Sequence, residues 1–405
     1  MVESNSYSLK LLVRSTLGWV FAASFLVVLR YGLSAEILEQ VYSRGLFLKI
    51  RKLLDAVFAW WPFPASSFVF TVALLFWIRS IYKWTRHVSA GTIREPRSEI
   101  QSTASNVTRH TFHISHFITK TIAFTLALGR GASMVVIAFL ILWGFNYGRV
   151  ALPDQLGLDS EPLSTNELWE ELKLTSKFVS ILRTQLPLSN QSDYKSLPLN
   201  QNTQARIRAT VTKQLDHIGY PTDGLVRIRL VWPGTLLRFN TSGIYFPLTG
   251  EGHVDEGLHS LQVPYVMAHE MVHGYGITDE GSCNFIAWLA CTRADNIYIR
   301  YSGHLMYFRH LGSAVRRRDP KGYAAFRQNL PSGVLADLNS INVNNNKFDE
   351  IIPELRDVVY DNYLKSQGIS DGMASYSRVI DLVAAWQNAR LASPEGPTAI
   401  GQGHQ

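Results

Sequence analysis

Two histidines four residues apart, with a glutamate directly after the first, are the groups in this chain best spaced for chemistry: His269, Glu270 and His273 in the run HEMVH. The surrounding VPYVMAHEMVHG reads as a helix, since Pro264 suits a first turn, Gly274 or Gly276 suits the end, and no proline interrupts the run. At about 100° per residue the two histidines share one face a turn apart, so two imidazoles can reach one zinc ion at ~2.0–2.1 Å. Glu270 then points to the side where a water would sit. Zinc lowers the pKa of such a water towards ~7, and a neighbouring carboxylate can take its proton. A plain helix with these residues would leave three polar groups without partners near a core, at a cost of several kcal/mol, roughly.

The third ligand is ambiguous from the residues alone, because Asp279 and Glu280 both follow in HGYGITDEGSCNF. If Gly276 lets the chain turn straight back, Asp279 returns to the metal, as in a metzincin. If Thr278 caps a new helix, Glu280 lies in its first turn and Asn284, one turn on, faces the same way as a polar partner, as in a gluzincin. A hydrolase also needs a group that stabilises the developing oxyanion. Tyr301 and His304 in YSGHLMYF, and Tyr376 and Arg378 in SYSRV, are candidates, and Tyr245 can help hold an extended peptide by edge pairing. Cys283 and Cys291, eight residues apart on one helix, are roughly 12 Å apart along its axis, too far to bridge, and are expected as core residues.

These residues must be carried by a chain of 405 residues with a formal charge of +7 and an uneven spread of apolar residues. Three long runs precede residue 150: STLGWVFAASFLVVL, PASSFVFTVALLFWI and GASMVVIAFLILWGFNYG. With their flanks each reaches the ~20 residues a bilayer crossing requires, predicting spans at about 11–30, 62–82 and 126–147. Trp19, Trp60, Trp61, Trp77 and Trp143 sit in or beside them. Lys83, Arg86, Arg94, Arg97, Arg109 and Lys120 lie between the second and third runs, and the chain turns acidic after the third, from Asp154 to Glu171. That bias puts a loop over 83–120 in the cytoplasm and everything after Asn146 outside. His110, His113 and His116 in this loop read as one face of a solvated helix. The excess positive charge is explained by loop bias and by Arg316 to Arg318; no nucleic-acid motif accompanies it.

Beyond residue 150 the pattern is that of an ordinary folded domain. Ser164 or Thr165 can cap a leucine-bearing helix, TQARIRATVTKQLDHI reads as a second helix, and LVRIRLVW alternates as a half-buried strand. Residues 284–330 and 349–390 read as further helices, and SPEGPTAIGQGHQ as a disordered tail. The expected organisation is a membrane unit over 1–150, an extracytoplasmic zincin-like domain over 151–390 and a tail over 391–405. The fold class is α+β, mostly helical, with a small β-sheet.

The stretches VYSRGLFLKIRKLLDAVFAWWPFPASSF, LWGFNYGR, GIYFPLTGEGHVD, HEMVHGYGITDEGSCNF, IRYSG and YDNYLKSQGISDGMASYS carry a resemblance over roughly residues 38–387. The chain resembles an uncharacterised family of bacterial membrane-anchored zincin-like proteins, catalogued as a domain of unknown function. In that family the residues matching Glu280 and Asn284 recur, the position of Asp279 varies, and Ser282 stands where a second acidic residue is common. The resemblance therefore implies His269, His273 and Glu280 as ligands of Zn2+. It implies a zinc metallopeptidase-like domain and supplies no substrate. The residues themselves add the expectation of a membrane-bound metallopeptidase acting on extracytoplasmic peptide or protein substrates, with Glu270 as base and Tyr301 and His304 as candidate catalytic partners. The competing expectation is a non-catalytic envelope protein with a structural metal site, which would take four protein ligands. An intramembrane protease would need the motif inside an apolar run, where it does not lie.

Overall fold

The computed structural model describes residues 2–90, 103–186, 201–367 and 377–392. The expected tail from residue 393 on, residues 187–200 and Tyr376 lie outside the described residues, as do the side chains of His110, His113 and His116. The chain divides into two compact units, one of residues 1–33 and 65–144 and one of residues 34–64 and 145–405.

The first unit is built from α1 (Val2–Gly32), α4 (Ala65–Ala90) and α5 (Thr103–Leu142). Each carries a stretch long and apolar enough to cross a membrane: Lys10–Gly32, Ala65–Tyr82 and Thr121–Leu142. Between α1 and α5 small residues allow close approach. Thr16 donates its hydroxyl proton to the Leu126 carbonyl at 3.2 Å and faces Gly129, the small-residue packing expected of helices in lipid.

The second unit opens with α2 (Ala35–Ile37), a π-helical stretch over Leu38–Leu46 and α3 (Phe47–Phe58). It resumes with α6 (Leu152–Gln155), α7 (Thr165–Gln185) and α8 (Gln201–His217), then β1 (Arg227–Val231), β2 (Gly243–Phe246) and β3 (Glu251–Asp255). The rest is helical: α9 (Val263–Gly274), α10 (Glu280–Thr292), α11 (Ile297–Arg318), α12 (Pro320–Gln328), α13 (Ser332–Asn345), α14 (Pro353–Ser366) and α15 (Val379–Ala392). Ser164 does cap α7, in a capping box with Glu167. The sheet has the order β1-β3-β2, with β1 parallel and β2 antiparallel to β3. The architecture is the expected mostly helical α+β fold with a small mixed sheet.

The strand alternation in LVRIRLVW is resolved in an unexpected way. Ile228 and Leu230 turn into the core, but the basic face is not left to solvent. Arg227 pairs with Asp55 at 2.7 Å, while Arg229 pairs with Glu251 at 2.8 Å and donates to the Trp61 carbonyl. Residues 34–64, grouped in the sequence reading with the apolar runs, thus form part of the second unit and cover the sheet's charged face.

At the centre of this unit α9 packs between β3, α8, α10 and α11, and all twelve of its residues are buried. The helix α7 lies against α11 and α13, and a buried ion pair ties it to α13 with a tyrosine of α11 joining in. Arg183 meets Asp337 at 2.7 Å, and the Tyr301 hydroxyl donates to the same carboxylate oxygen. Removing one member of a buried pair leaves its partner charged and unsatisfied, at about 3–5 kcal/mol. Asp337→Ala is therefore expected to lower unfolding free energy by roughly that amount, and Tyr301→Phe by about 1 kcal/mol. Denaturant unfolding of the full-length protein in detergent checks both.

Candidate metal centre

The helix α9 places His269 and His273 on one face, and the chain must then reverse to bring a carboxylate back to them. Gly276, with φ +92°, makes that reversal in a backbone conformation that a side chain would strain. A Cβ there would also fall 2.8 Å from the Phe47 ring. Two arginines hold the reversal from outside: Arg51 donates to the Gly274 carbonyl at 3.4 Å and Arg149 to the Gly276 carbonyl at 3.1 Å. Cations at a helix C-terminus also meet the negative end of its dipole. Arg149 is fixed in turn by Glu39 at 2.6 Å and by the Tyr220 hydroxyl.

After the reversal the two acidic residues divide the work. Asp279, not Thr278, caps α10: its carboxylate accepts from the Ser282 N–H at 2.7 Å and pairs with Arg378 at 3.3 Å. Glu280, the first residue of α10, turns inward. Its Oε2 lies 3.0 Å from His269 Nε2 and 3.4 Å from His273 Nε2, and the two Nε2 atoms are 3.1 Å apart. The three residues are buried, and they form the group among the described residues able to hold a metal ion. Four donors placed tetrahedrally at ~2.0–2.1 Å from zinc are separated from one another by about 3.3–3.4 Å, close to the spacing here.

The other nitrogen of each ring is already engaged. His273 Nδ1 lies 2.9 Å from the Ile277 carbonyl, which can only accept, so Nδ1 carries the proton and Nε2 presents its lone pair to the cluster. Cys283 Sγ sits 3.3 Å from the same Nδ1. His269 Nδ1 lies 2.9 Å from Asn284 Oδ1, and the Tyr265 hydroxyl donates to that oxygen as well. Two lone pairs and a carboxylate oxygen in contact repel one another unless a cation, a proton or a metal, lies among them. Burial disfavours charge on His273, yet the neighbouring Cys283 and Glu280 outweigh it and hold the imidazole well above its ordinary range. Burial alone would raise Glu280, but the facing His273 and His269 hold it far below the usual carboxylate range.

Glu270 follows His269 on the same helix and is accommodated by two glycines of the sheet. A Cβ on Gly243 would lie 2.6 Å from Glu270 Oε1, and one on Gly252 would lie 2.9 Å from Glu270 Cβ. Its Oε2 is buried without a hydrogen-bond partner. Burial raises this carboxyl to about 7, against the pull of His269 and His273 and with a further push from Glu280.

A family model described as a protein of unknown function, DUF3810, matches residues 42–384. The chain belongs to the DUF3810 family. No curated protein and no solved structure matches it. The DUF3810 match spans both the cluster and the segment 42–64 that supports it.

The remaining sequence candidates of this DUF3810 member are placed elsewhere or otherwise. Tyr301 is buried with its hydroxyl on Asp337, and His304 stacks on Phe178 of α7 at 5.7 Å between centroids. Tyr245 turns inward from β2 and is buried, while its neighbour Ile244 is exposed. Arg378 contacts Asp279 rather than the three donors. Sequence reasoning treated Cys283 as core packing and missed its contact with His273; the available signal was its place one turn after Glu280 on the same helix. It also missed Tyr265, one turn before His269, and it paired Asn284 with the glutamate, where the structure puts the Asn284 oxygen on His269.

Two predictions follow from these placements. Groups that orient metal ligands through hydrogen bonds are worth about 10–100-fold in affinity, so Asn284→Ala is expected to weaken metal binding by that factor without unfolding the protein, as measured by competition with a chromogenic chelator. Burial, aided by Arg300, pushes the His304 imidazole down to about 4, whereas an unfolded histidine titrates near 6.5. Between those values the unfolded chain binds a proton that the folded chain does not, so stability falls as pH drops through that window. His304→Phe, which keeps the stack on Phe178, is expected to flatten part of that slope in unfolding midpoints measured from pH 7 to 4.

Proposed function

We propose that this protein is a membrane-anchored, zinc-dependent hydrolase, a metallopeptidase acting on peptide or protein substrates outside the cytoplasm. The observation that carries this reading is the meeting of three lone-pair donors beside a buried carboxylate whose Oε2 has no hydrogen-bond partner. His269 and His273 would hold the ion through Nε2 and Glu280 through Oε2. Two imidazoles and one carboxylate are a ligand set that zinc takes in catalytic sites, where the fourth position stays open to water. Zinc held there would supply Lewis-acid polarisation and make water acidic near neutral pH.

Glu270 is the base in this reading. A carboxyl brought to about 7 by burial is matched to proton transfer near neutrality, and its packing over Gly243 and Gly252 fixes where the oxygen sits. The strand β2 lies at the edge of the sheet directly above Glu270, which supports pairing with an extended peptide. Lys83, Arg86, Arg94, Arg97, Arg109 and Lys120, set against the acidic stretch after residue 150, support a cytoplasmic 83–120 and a C-terminal unit on the opposite side. With the family resemblance, that corresponds to the inner membrane of a bacterium.

The test uses the full-length protein in detergent or nanodiscs. Reconstitution is expected to give one zinc per chain, lost in His269→Ala and kept in Glu270→Gln. Cleavage of a peptide library is expected to fall by about 10²–10⁴-fold in Glu270→Gln, the usual contribution of a general base. Stoichiometric zinc with cleavage indifferent to Glu270 would leave a structural metal site instead.

A further inference from the structure

The helix α3 is amphipathic in the reverse sense for a folded domain. Its inward face carries charge: Arg51 is 3% exposed and donates to the Gly274 carbonyl, and Asp55 pairs with Arg227 and accepts from the Leu225 N–H. Its outward face is greasy. Leu46 at the end of the π-helical stretch, Leu53 and Val57 on α3 and Trp60 just after it follow one another at helical spacing and are 48%, 63%, 46% and 71% exposed. Phe63 just beyond is also exposed, and the exposed Lys49 borders the stripe, while Lys52 pairs with Asp223 at 2.7 Å. Water gives no reason for a helix to turn Arg51 and Asp55 in and Leu53 and Val57 out.

Connectivity names the occupant. Residues 34–64 run from the end of one candidate span, at Gly32, to the start of the next, at Ala65, so the chain leaves a bilayer and re-enters it through the same face. We infer that the Leu46, Leu53, Val57 and Trp60 stripe along α3 is a membrane-docking surface seated in the interfacial layer of the bilayer. An apolar face with tryptophan on one side and a lysine at its margin is the composition of helices that lie in this layer, with the lysine stem reaching up to headgroups. The opposite face of the same helix holds the exit of α9. The His269, His273 and Glu280 cluster therefore stands within about one to two helix diameters of the lipid, some 10–20 Å. For the hydrolase proposed above, the substrate class in reach is polypeptide close to the membrane surface. That consequence rests on the hydrolase reading; the docking does not.

Nitroxide labels test the docking without reference to activity. In full-length protein in nanodiscs, Leu53→Cys and Val57→Cys are labelled alongside Ile181→Cys, an exposed apolar position on α7; the native Cys283 and Cys291 are buried. Labels at 53 and 57 are expected to be relaxed several-fold more by oxygen than by a water-soluble nickel chelate, relative to the label at 181, and equally so in a Glu270→Gln background. A water-like profile at 53 and 57 would overturn the inference. So would dipolar broadening at those sites that vanishes on dilution with unlabelled protein, which would mean that a second copy covers the stripe.

Discussion

Three electron-rich atoms, His269 Nε2, His273 Nε2 and Glu280 Oε2, are held within contact of each other in a buried place. Such an arrangement is repulsive on its own and becomes favourable around a cation. Much of the second unit can be understood as the means of enforcing it. The helix α9 is buried along its length, so neither imidazole can swing to solvent. The proton on His273 Nδ1 is fixed by a carbonyl, and the His269 ring is oriented by Asn284 and Tyr265. Capping by Asp279 is equally necessary, because it anchors the start of α10 so that the next side chain is the one directed inward.

The ion pairs around residues 34–64 raise an energetic question. Buried pairs seldom add much net stability, since desolvation offsets most of the attraction. Their value here is positional. Glu39, Arg149, Asp55, Arg227, Glu251 and Arg229 set a unique seat for α3 and the π-helical turn against the sheet and the loop after α9. An apolar interface of the same area would tolerate sliding, and a shift of α3 would move Arg51 off the Gly274 carbonyl and loosen the reversal that carries Glu280.

Much of this was legible in the sequence, for identifiable reasons. A helical period, Pro264 before it and a glycine after it place HEMVH on a helix, and hydropathy alone marks three long apolar helices. Asp279 and Glu280 could not be separated by spacing, because both lie within one turn of the same reversal; the capping bond to Ser282 takes Asp279, and the contacts with His269 and His273 take Glu280. Tyr301 and His304 were attractive because of residue type and nearness in sequence. A tyrosine's hydroxyl serves equally well in a core network, and on α11 it meets Asp337, which comes from far along the chain. The basic alternation of β1 looked like a solvent face for a similar reason: its partners, Asp55 and the Trp61 carbonyl, lie about 170 residues earlier.

The placement of residues 34–64 has a further bearing on how the cluster is supported. A site built from one contiguous stretch owes nothing to distant parts of its chain. In this chain the segment joining the first two apolar helices supplies Arg51 to the last carbonyl of α9, Phe47 to the turn after it, and Glu39 to the arginine that clamps that turn. Contacts of this kind cannot be removed without altering the support of Glu280. The early segment 34–64 and the polar chemistry of the later chain, which look unrelated as sequence, meet at the single turn between Gly274 and Glu280.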